Sequence, residues 1–576
     1  MNRRIYILLA IILISGFILR VFNLSENPPS VSWDEISHGY NAYSLLKTGT
    51  DEWGKIPILN FRAYGDYPLP LNLYLTIPYV AALGLSTFSI RLPHAILGIL
   101  TALAAYFLAY ALTKSRGISL LTTLLVVLEP WTLFTSRIVL QQNLSIFLLT
   151  AGMAAFFNKH KSKFLLPASF ILMFLTLFSY HSTRIFSPLL VIVTLFIFRN
   201  DFKEKYLRKG LISLIFIVSI IVFFLVSVVI LIDPNSRARS KWLFIIDQAA
   251  INRIIEKREA STLPYEIARF VYNRPTYFIT KFTSNFLGYF SPKFLFFKGG
   301  TQYQYNLPGF GLSYLVNLPF FYLGIFLVIK NAIKGSKDYL LILTWLLLSP
   351  ISGSITNETF AVTRASTMLP LPMLLSAFGL ATIWEWMVKG RVTAGMKYWI
   401  SYHTFKAFAP LAAIIYFTFL GISVYAYLRN YFGNYRLNYS WSWQYGYKEV
   451  INYARVNYGK YDKIIVTKKY GEPHEFLLFF WPWDPQQYKN DPNLIRFHQS
   501  NWYWVDRFDK FYFVNDWDIP KLEDGLWKME YGGGFECKKI NCMLITSPGN
   551  VPMNWNKLET VNYLDGKTAF EIYENK

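Results

Sequence analysis

The sequence predicts a polytopic α-helical membrane protein of about eleven spans, followed by an extracytoplasmic α/β domain. Three observations lead there. Of 576 residues, 53% are hydrophobic and 18% aromatic, too apolar for a string of soluble modules. Apolar runs near or above bilayer-crossing length recur from Ile5 to Tyr427, with Tyr and Trp clustered at their ends. After Tyr427 the pattern turns mixed and rich in Trp and Tyr, as in a folded soluble domain. The expected division is a transmembrane module over 1–430 and a soluble domain over 431–576.

The net charge of +22 would point to nucleic acid if Lys and Arg formed one soluble face, but they fall in short loops. These are Arg3 and Arg4; Lys114 and Arg116; Lys159, Lys161 and Lys163; Arg199 through Lys209; Lys330, Lys334 and Lys337; and Lys389, Arg391 and Lys397. Short basic loops mark the cytoplasmic side, so the charge reports topology, and no nucleic-acid partner is expected.

Taken in order, the first run, Ile5–Phe22, follows two arginines and reads as a span rather than a cleaved leader, because no small-residue cleavage site follows. The expected spans are 4–22, 91–112, 118–135, 139–157, 164–180, 184–199, 210–232, 312–330, 339–353, 367–388 and 407–427. From a cytoplasmic N-terminus, every basic loop then falls inside, and 23–90, 233–311, 354–366 and 428–576 fall outside. The apolar run Pro68–Leu85 would invert this scheme if it crossed, and Pro68, Pro70 and Pro78 weaken a straight helix, so it is read as interfacial or re-entrant.

In the C-terminal part, "YGYKEVINYARVNYG" and "HEFLLFFW" read as helices, and "KIIVTK", "KFYFVND" and "NCMLITS" as strands. The only two cysteines, Cys537 and Cys542, lie here with a four-residue spacer, which suits a disulfide bridging a hairpin in an exported compartment. Zinc at these cysteines is not expected, because no second Cys or His pair stands at ligand spacing.

Chemistry points to the first outer loop. "VSWDEISHGYNAY" places Asp34 and Glu35 outside the membrane just after the first span. A carboxylate partly shielded from water there can serve as a general base; equally, Asp and Glu are favoured at a helix N-terminus as caps. The same loop adds Asp51, Glu52 and Asp66, so five carboxylates share one face beside an apolar ledge. His38, one turn after Asp34, reads as a surface helix histidine, with orientation of Asp34 or metal binding as the alternatives. Other outer positions bring cations: Arg137 in "TSRIVLQQN", His181 and Arg184 in "SYHSTRIFSP", and Arg364 with Glu358 in "TNETFAVTR". Arginine at a span end is often a headgroup anchor, but three on the face of the acidic loop suit a phosphate, which a guanidinium binds bidentately. No Gly-rich phosphate loop, nucleophile elbow or zinc helix motif is present.

The order of "WDE" after the first span, "RLPHAILGILTALAAYFLAYALT" at 91–113, "EPWTLFTSRIVLQQN" at 129–143 and "SPISGSITNETFAVTRASTMLPLP" at 349–372 resembles the GT-C glycosyltransferases. The branch it looks most like is that of protein O-mannosyltransferase-like and aminoarabinose-transferase-like membrane enzymes, over roughly 5–430. The resemblance implies a polyprenyl-phosphate sugar donor, an acceptor hydroxyl on a protein, lipid or glycan, and transfer on the extracytoplasmic face of a lipid bilayer. It implies Asp34 as catalytic base with Glu35 beside it. It also implies Arg91, Arg137 and Arg364 as basic positions near the donor phosphate, and Asp66, His181, Arg184 and Glu358 join them as candidate substrate-binding residues. Two departures stand out: Gln141 and Gln142 replace an acidic residue after "SR", and Pro68 stands where the family often has Lys. The first argues against the one candidate cofactor, a divalent metal; the second leaves phosphate neutralisation to arginine. The rival readings are a multi-span transporter or lipid flippase, which would carry its charges near mid-membrane, and a sensor, which would need a cytoplasmic output domain.

Overall fold

The computed structural model describes residues 3–205, 210–234, 236, 243–389, 402–500, 502–522 and 525–575. Arg391, Lys397 and the basic stretch 206–209 lie outside the described residues. Contacts divide the chain into two compact units: Met1–Arg20, Ala95–Ser136 and Leu140–Arg429 form one, and Val21–His94, Arg137–Val139 and Asn430–Lys576 the other.

The first unit is helical. Among the described residues six helices are long and apolar enough to cross a membrane: Arg3–Val21, Thr87–Thr113, Ser213–Ile232, Leu315–Ile333, Ser366–Val388 and Phe408–Asn438. Several of the other expected spans are shorter helices. The run 118–135 is broken into Arg116–Leu128 and Pro130–Thr135, because Pro130 has no N–H to continue the first ladder and takes the first position of the next helix. The runs at 164–180 and 184–199 give helices Leu165–Thr176 and Thr183–Ile197. Helices Leu318–Ile333 and Leu371–Lys389 approach backbone to backbone, since a Cβ on Gly324 would stand 2.1 Å from the Leu375 carbonyl oxygen and one on Gly379 2.1 Å from that of Phe320. Arg20, fully buried, donates to the carbonyls of Val126 (3.2 Å) and Val127 (3.1 Å), which the end of helix Arg116–Leu128 leaves without helical partners. Gly98 makes room for it, as a Cβ there would lie 2.6 Å from Arg20 Nε.

The second unit is built on a seven-stranded mixed sheet in the order β2-β3-β4-β1-β7-β9-β8. Its strands are β1 (Lys463–Thr467), β2 (Ile495–Gln499), β3 (Trp502–Phe508), β4 (Phe511–Val514), β7 (Cys542–Thr546), β8 (Asn556–Asn562) and β9 (Thr568–Glu574). The two-residue strands β5 (Trp527–Lys528) and β6 (Gly534–Phe535) pair separately. The apolar run of β1 explains its central place, parallel to both β4 and β7, with Ile464 opposite Phe511 on one side and Met543 on the other. The helices expected at "YGYKEVINYARVNYG" and "HEFLLFFW" form as Tyr447–Val456 and Pro473–Phe480. Cys537 and Cys542 are joined by a disulfide. It does not bridge a two-stranded hairpin: Cys542 begins β7, whose partners are β1 and β9, and Cys537 lies in the turn before it.

The first loop belongs to this unit. Its helix Trp33–Thr48 packs on helix Pro70–Leu83 and on helix Pro473–Phe480, where Gly39 admits the Phe479 ring: a Cβ there would be 2.7 Å from it. The apolar run expected to be interfacial is this 14-residue Pro70–Leu83 helix, about 21 Å long and short of a bilayer crossing.

Candidate active site

The two adjacent carboxylates of the opening motif have opposite fates. Glu35 is buried and closes a capping box on helix Trp33–Thr48: the Ser32 hydroxyl accepts from the Glu35 N–H (3.4 Å), and Glu35 Oε2 accepts from the Ser32 N–H (3.1 Å). The same carboxylate takes a two-pronged bond from Arg91, Nε to Oε1 at 2.9 Å and Nη2 to Oε2 at 2.8 Å, and Oε1 also accepts from the Val139 N–H at 3.0 Å. Four donors fill its four lone-pair positions. Arg91 is equally committed. Its Nη1 donates to the carbonyls of Leu24 and Pro28, both at 3.1 Å, and Nη2 also to that of Ser30, so all five N–H groups are used and none remains for a phosphate.

Asp34, by contrast, is exposed on the first turn of that helix, and the Tyr64 hydroxyl donates to its Oδ1. Tyr64 is buried beside Trp33 and Trp502, with ring centroids 5.9 and 4.9 Å away. Burial, reinforced by the Asp34 charge, pushes its phenol well above the usual 10, so it remains a donor. Its carbonyl accepts from the Tyr503 N–H at the start of β3. Asp66, half-buried, accepts from the Tyr67 N–H at 2.8 Å. The capping role that competed with chemistry for the acidic pair therefore belongs to Ser32 and Glu35, and Asp34 is the carboxylate presented to solvent.

His38 is not a surface histidine. It is 3% exposed, and its Nε2 stands 3.2 Å from the Asn72 carbonyl and 3.1 Å from the Thr76 hydroxyl on helix Pro70–Leu83. Because a carbonyl only accepts, Nε2 carries the proton. Burial lowers the imidazole from 6.5 to about 4 and keeps it neutral.

Arg137 is also buried. Its Nε donates to the Tyr431 hydroxyl (3.1 Å) and its Nη2 to the carbonyls of Phe22 (2.7 Å) and Asn27 (2.9 Å), with the guanidinium over the rings of Tyr431 and Phe432. Glu35, Arg91 and Arg137 together hold 22–32 through hydrogen bonds to the backbone of Phe22, Leu24, Asn27, Pro28, Ser30 and Ser32. In the helical unit, Arg364 pairs with Glu358 at 2.9 Å and donates to the Thr356 hydroxyl at 2.8 Å, with side chains 11% and 23% exposed. Arg184 donates to the Leu177 carbonyl (3.0 Å) and the Ser236 hydroxyl (2.9 Å), and His181 is half-buried in the turn before it. Reading the sequence missed three residues: Tyr64, whose phenol reaches Asp34 from 30 positions away; Glu129, which accepts from the Tyr314 N–H at 2.8 Å; and Arg62, stacked between Trp53 and Tyr503 at 4.9 and 4.6 Å. A loop arginine among aromatics was the one visible signal, for Arg62.

Comparison with known proteins bears on this arrangement. Residues 10–243, fewer than half of the chain, match the sequence profile of the family described as dolichyl-phosphate-mannose-protein mannosyltransferase. No curated protein matches the sequence. ArnT from Cupriavidus metallidurans in the apo state superimposes with a TM-score of 0.50 at 11% identity, over 98% of this chain and 98% of that one. The chain has the GT-C fold. GT-C architecture also underlies the archaeal oligosaccharyltransferase AglB from Archaeoglobus fulgidus, solved with an inhibitory peptide and a dolichol-phosphate, at a TM-score of 0.50 and 14% identity over 83% of this chain. The chain spans about 63% of the length of that oligosaccharyltransferase. With this GT-C fold and, among the described residues, six helices of spanning length, the protein is integral to a membrane.

Proposed function

We propose that the protein transfers a sugar from a polyprenyl-phosphate donor to the hydroxyl of a protein, lipid or glycan acceptor at the extracytoplasmic face of the membrane. The profile match, the GT-C fold and the dolichol-phosphate in the similar AglB structure support the donor class. The observation that carries the mechanism is the division of labour at 34–35: one carboxylate is wholly used in holding the loop, and its neighbour is exposed on the helix so anchored.

Asp34 is the general base. Its carboxylate takes the acceptor's O–H proton as that oxygen attacks the anomeric carbon. The bond from that carbon to the phosphate oxygen breaks, and the polyprenyl phosphate leaves with the electron pair. A phosphate needs cationic stabilisation rather than protonation to depart, so one base and arginine suffice, and single displacement inverts the anomeric configuration. Tyr64 orients Asp34. Glu35, Arg91 and Arg137 are positioning residues, since their polar groups serve the protein itself. For the donor phosphate the proposed contacts are Arg364, Glu358, His181 and Arg184, and for the acceptor Asp66.

The test is to incubate the purified full chain with a panel of polyprenyl-phosphate sugars and acceptors and follow release of polyprenyl phosphate. Sugar-specific, acceptor-dependent release is expected. Movement of the intact lipid across proteoliposome membranes without release would make the protein a flippase instead.

A further inference from the structure

A second group of chemistry-bearing side chains lies within the sheet-containing unit, apart from Asp34 and its supports. Glu52 of the first loop and His474 and Glu475 of helix Pro473–Phe480 each offer a ligand atom, and the three atoms lie within 4.8 Å of one another. All three residues are buried, at 2%, 5% and 1% exposure. Oε2 of Glu52 and Oε2 of Glu475 are both enclosed and receive no hydrogen bond while both groups are ionised, the two carboxyl groups lying against each other. Two buried carboxylates with unpaired oxygens facing one imidazole are costly to hold as bare charges. Nearby cations offset this only in part. Arg496 spends Nη2 on the Glu52 carbonyl at 2.8 Å and stacks over Trp53, and Lys468 is paired with Asp506 at 2.7 Å.

We propose that Glu52, His474 and Glu475 bind a divalent transition-metal ion that ties the first loop to helix Pro473–Phe480. One imidazole with two carboxylates is a donor set for zinc or manganese rather than for magnesium or calcium, which take oxygen ligands alone. Ligand atoms about 2.1 Å from a tetrahedral ion lie about 3.4 Å apart, and the three ligand atoms here already lie within 4.8 Å of one another. Glu472 completes the arrangement. Its Oε2 is 3.4 Å from His474 Nδ1 without yet bonding it, close to where an orienting carboxylate stands behind a histidine that binds a metal through Nε2. The Trp502 indole N–H donates to the other oxygen of Glu472 and fixes it. This site does not depend on the transferase reading and concerns how the loop carrying Asp34 is held.

The experiment uses the full chain purified in detergent. Metal content is measured by mass spectrometry, and melting is followed after chelation and after adding back ZnCl2, MnCl2 or MgCl2. The expected result is about one zinc or manganese per chain, a fall in melting temperature on chelation, and recovery with Zn2+ or Mn2+ but not Mg2+. The near-isosteric Glu475→Gln should lose the bound metal and the response to chelation. Glu472→Gln should keep the site with affinity lowered about ten- to a hundredfold. Wild-type protein that binds none of these ions and melts identically with and without chelator would overturn the proposal. In that event Glu52 and Glu475 share a proton.

Discussion

Asp34 and Glu35 differ by one position and by almost everything that decides chemistry. Glu35 accepts four hydrogen bonds, two of them from Arg91, in an ion pair with side chains 0% and 2% exposed. Removing one partner of such a pair leaves the other charge buried and uncompensated, which costs about 3–5 kcal/mol. Glu35→Gln and Arg91→Lys should therefore lower the melting temperature markedly, the second because an ammonium cannot reproduce five fixed N–H directions. Asp34→Asn should not, and a thermal-shift comparison of the three variants checks the ordering. His38 supplies a pH test. The unfolded chain takes up a proton at about 6.5, whereas the buried imidazole resists protonation down to about 4. Its contribution is present above pH 6.5 and is lost as pH falls from 6.5 to 4, up to about 3 kcal/mol. His38→Gln should flatten melting temperature against pH over that interval, and an unchanged slope would assign the acid sensitivity to other groups. At this scale the importance of the "WDE" stretch was legible, because two carboxylates after a greasy helix need a reason. The division of roles was not, since Arg91 pairs with Glu35 across 56 positions and no local spacing reveals it.

Elements were legible where one period dominates. The continuous apolar run of β1 and the amphipathic helix Tyr447–Val456 stand where expected. Strands β8 and β9 escaped because charged and polar residues interrupt them, as in the exposed alternation of Asn556–Asn562. The broken span at Pro130 and the short helices after it show that apolar length alone overestimates continuous helix. Two element-scale predictions follow from the sheet. Joining Cys537 to Cys542 closes so short a loop that its loss should cost only on the order of 2 kcal/mol. A Cys537→Ser, Cys542→Ser protein should thus fold and turn over, melting a few degrees lower; loss of turnover would give the bridge a catalytic part. At the other end of β1, a cavity of about 780 Å³ is lined by Trp504, Trp517, Asp516, Asn515, Glu530 and Gln499 together with Lys468, Lys469 and Asn550, an aromatic and polar surface suited to an acceptor's sugar or amide groups. Trp517 is 81% exposed and packs little. Trp517→Ala should raise KM for acceptor several-fold and leave donor affinity unchanged, whereas unaltered acceptor kinetics would place the acceptor elsewhere.

At the scale of the whole molecule, the alternation of basic loops leads us to propose that Lys114 and Lys334 face the cytoplasm and Asn438 the opposite side. All three are exposed, and the native cysteines are joined in a disulfide, so single cysteines at these positions report sidedness cleanly. An impermeant thiol reagent on intact cells should label the cysteine at 438 and spare those at 114 and 334; the reverse pattern would invert the topology. The central claim is that a chain of this fold uses Asp34 as the base in transfer from a polyprenyl-phosphate sugar. Turnover and donor binding measured together on purified Asp34→Asn test it most directly. The account predicts a rate lower by about a hundred- to ten-thousandfold, with donor affinity and melting temperature close to wild type. Normal turnover by Asp34→Asn would contradict it.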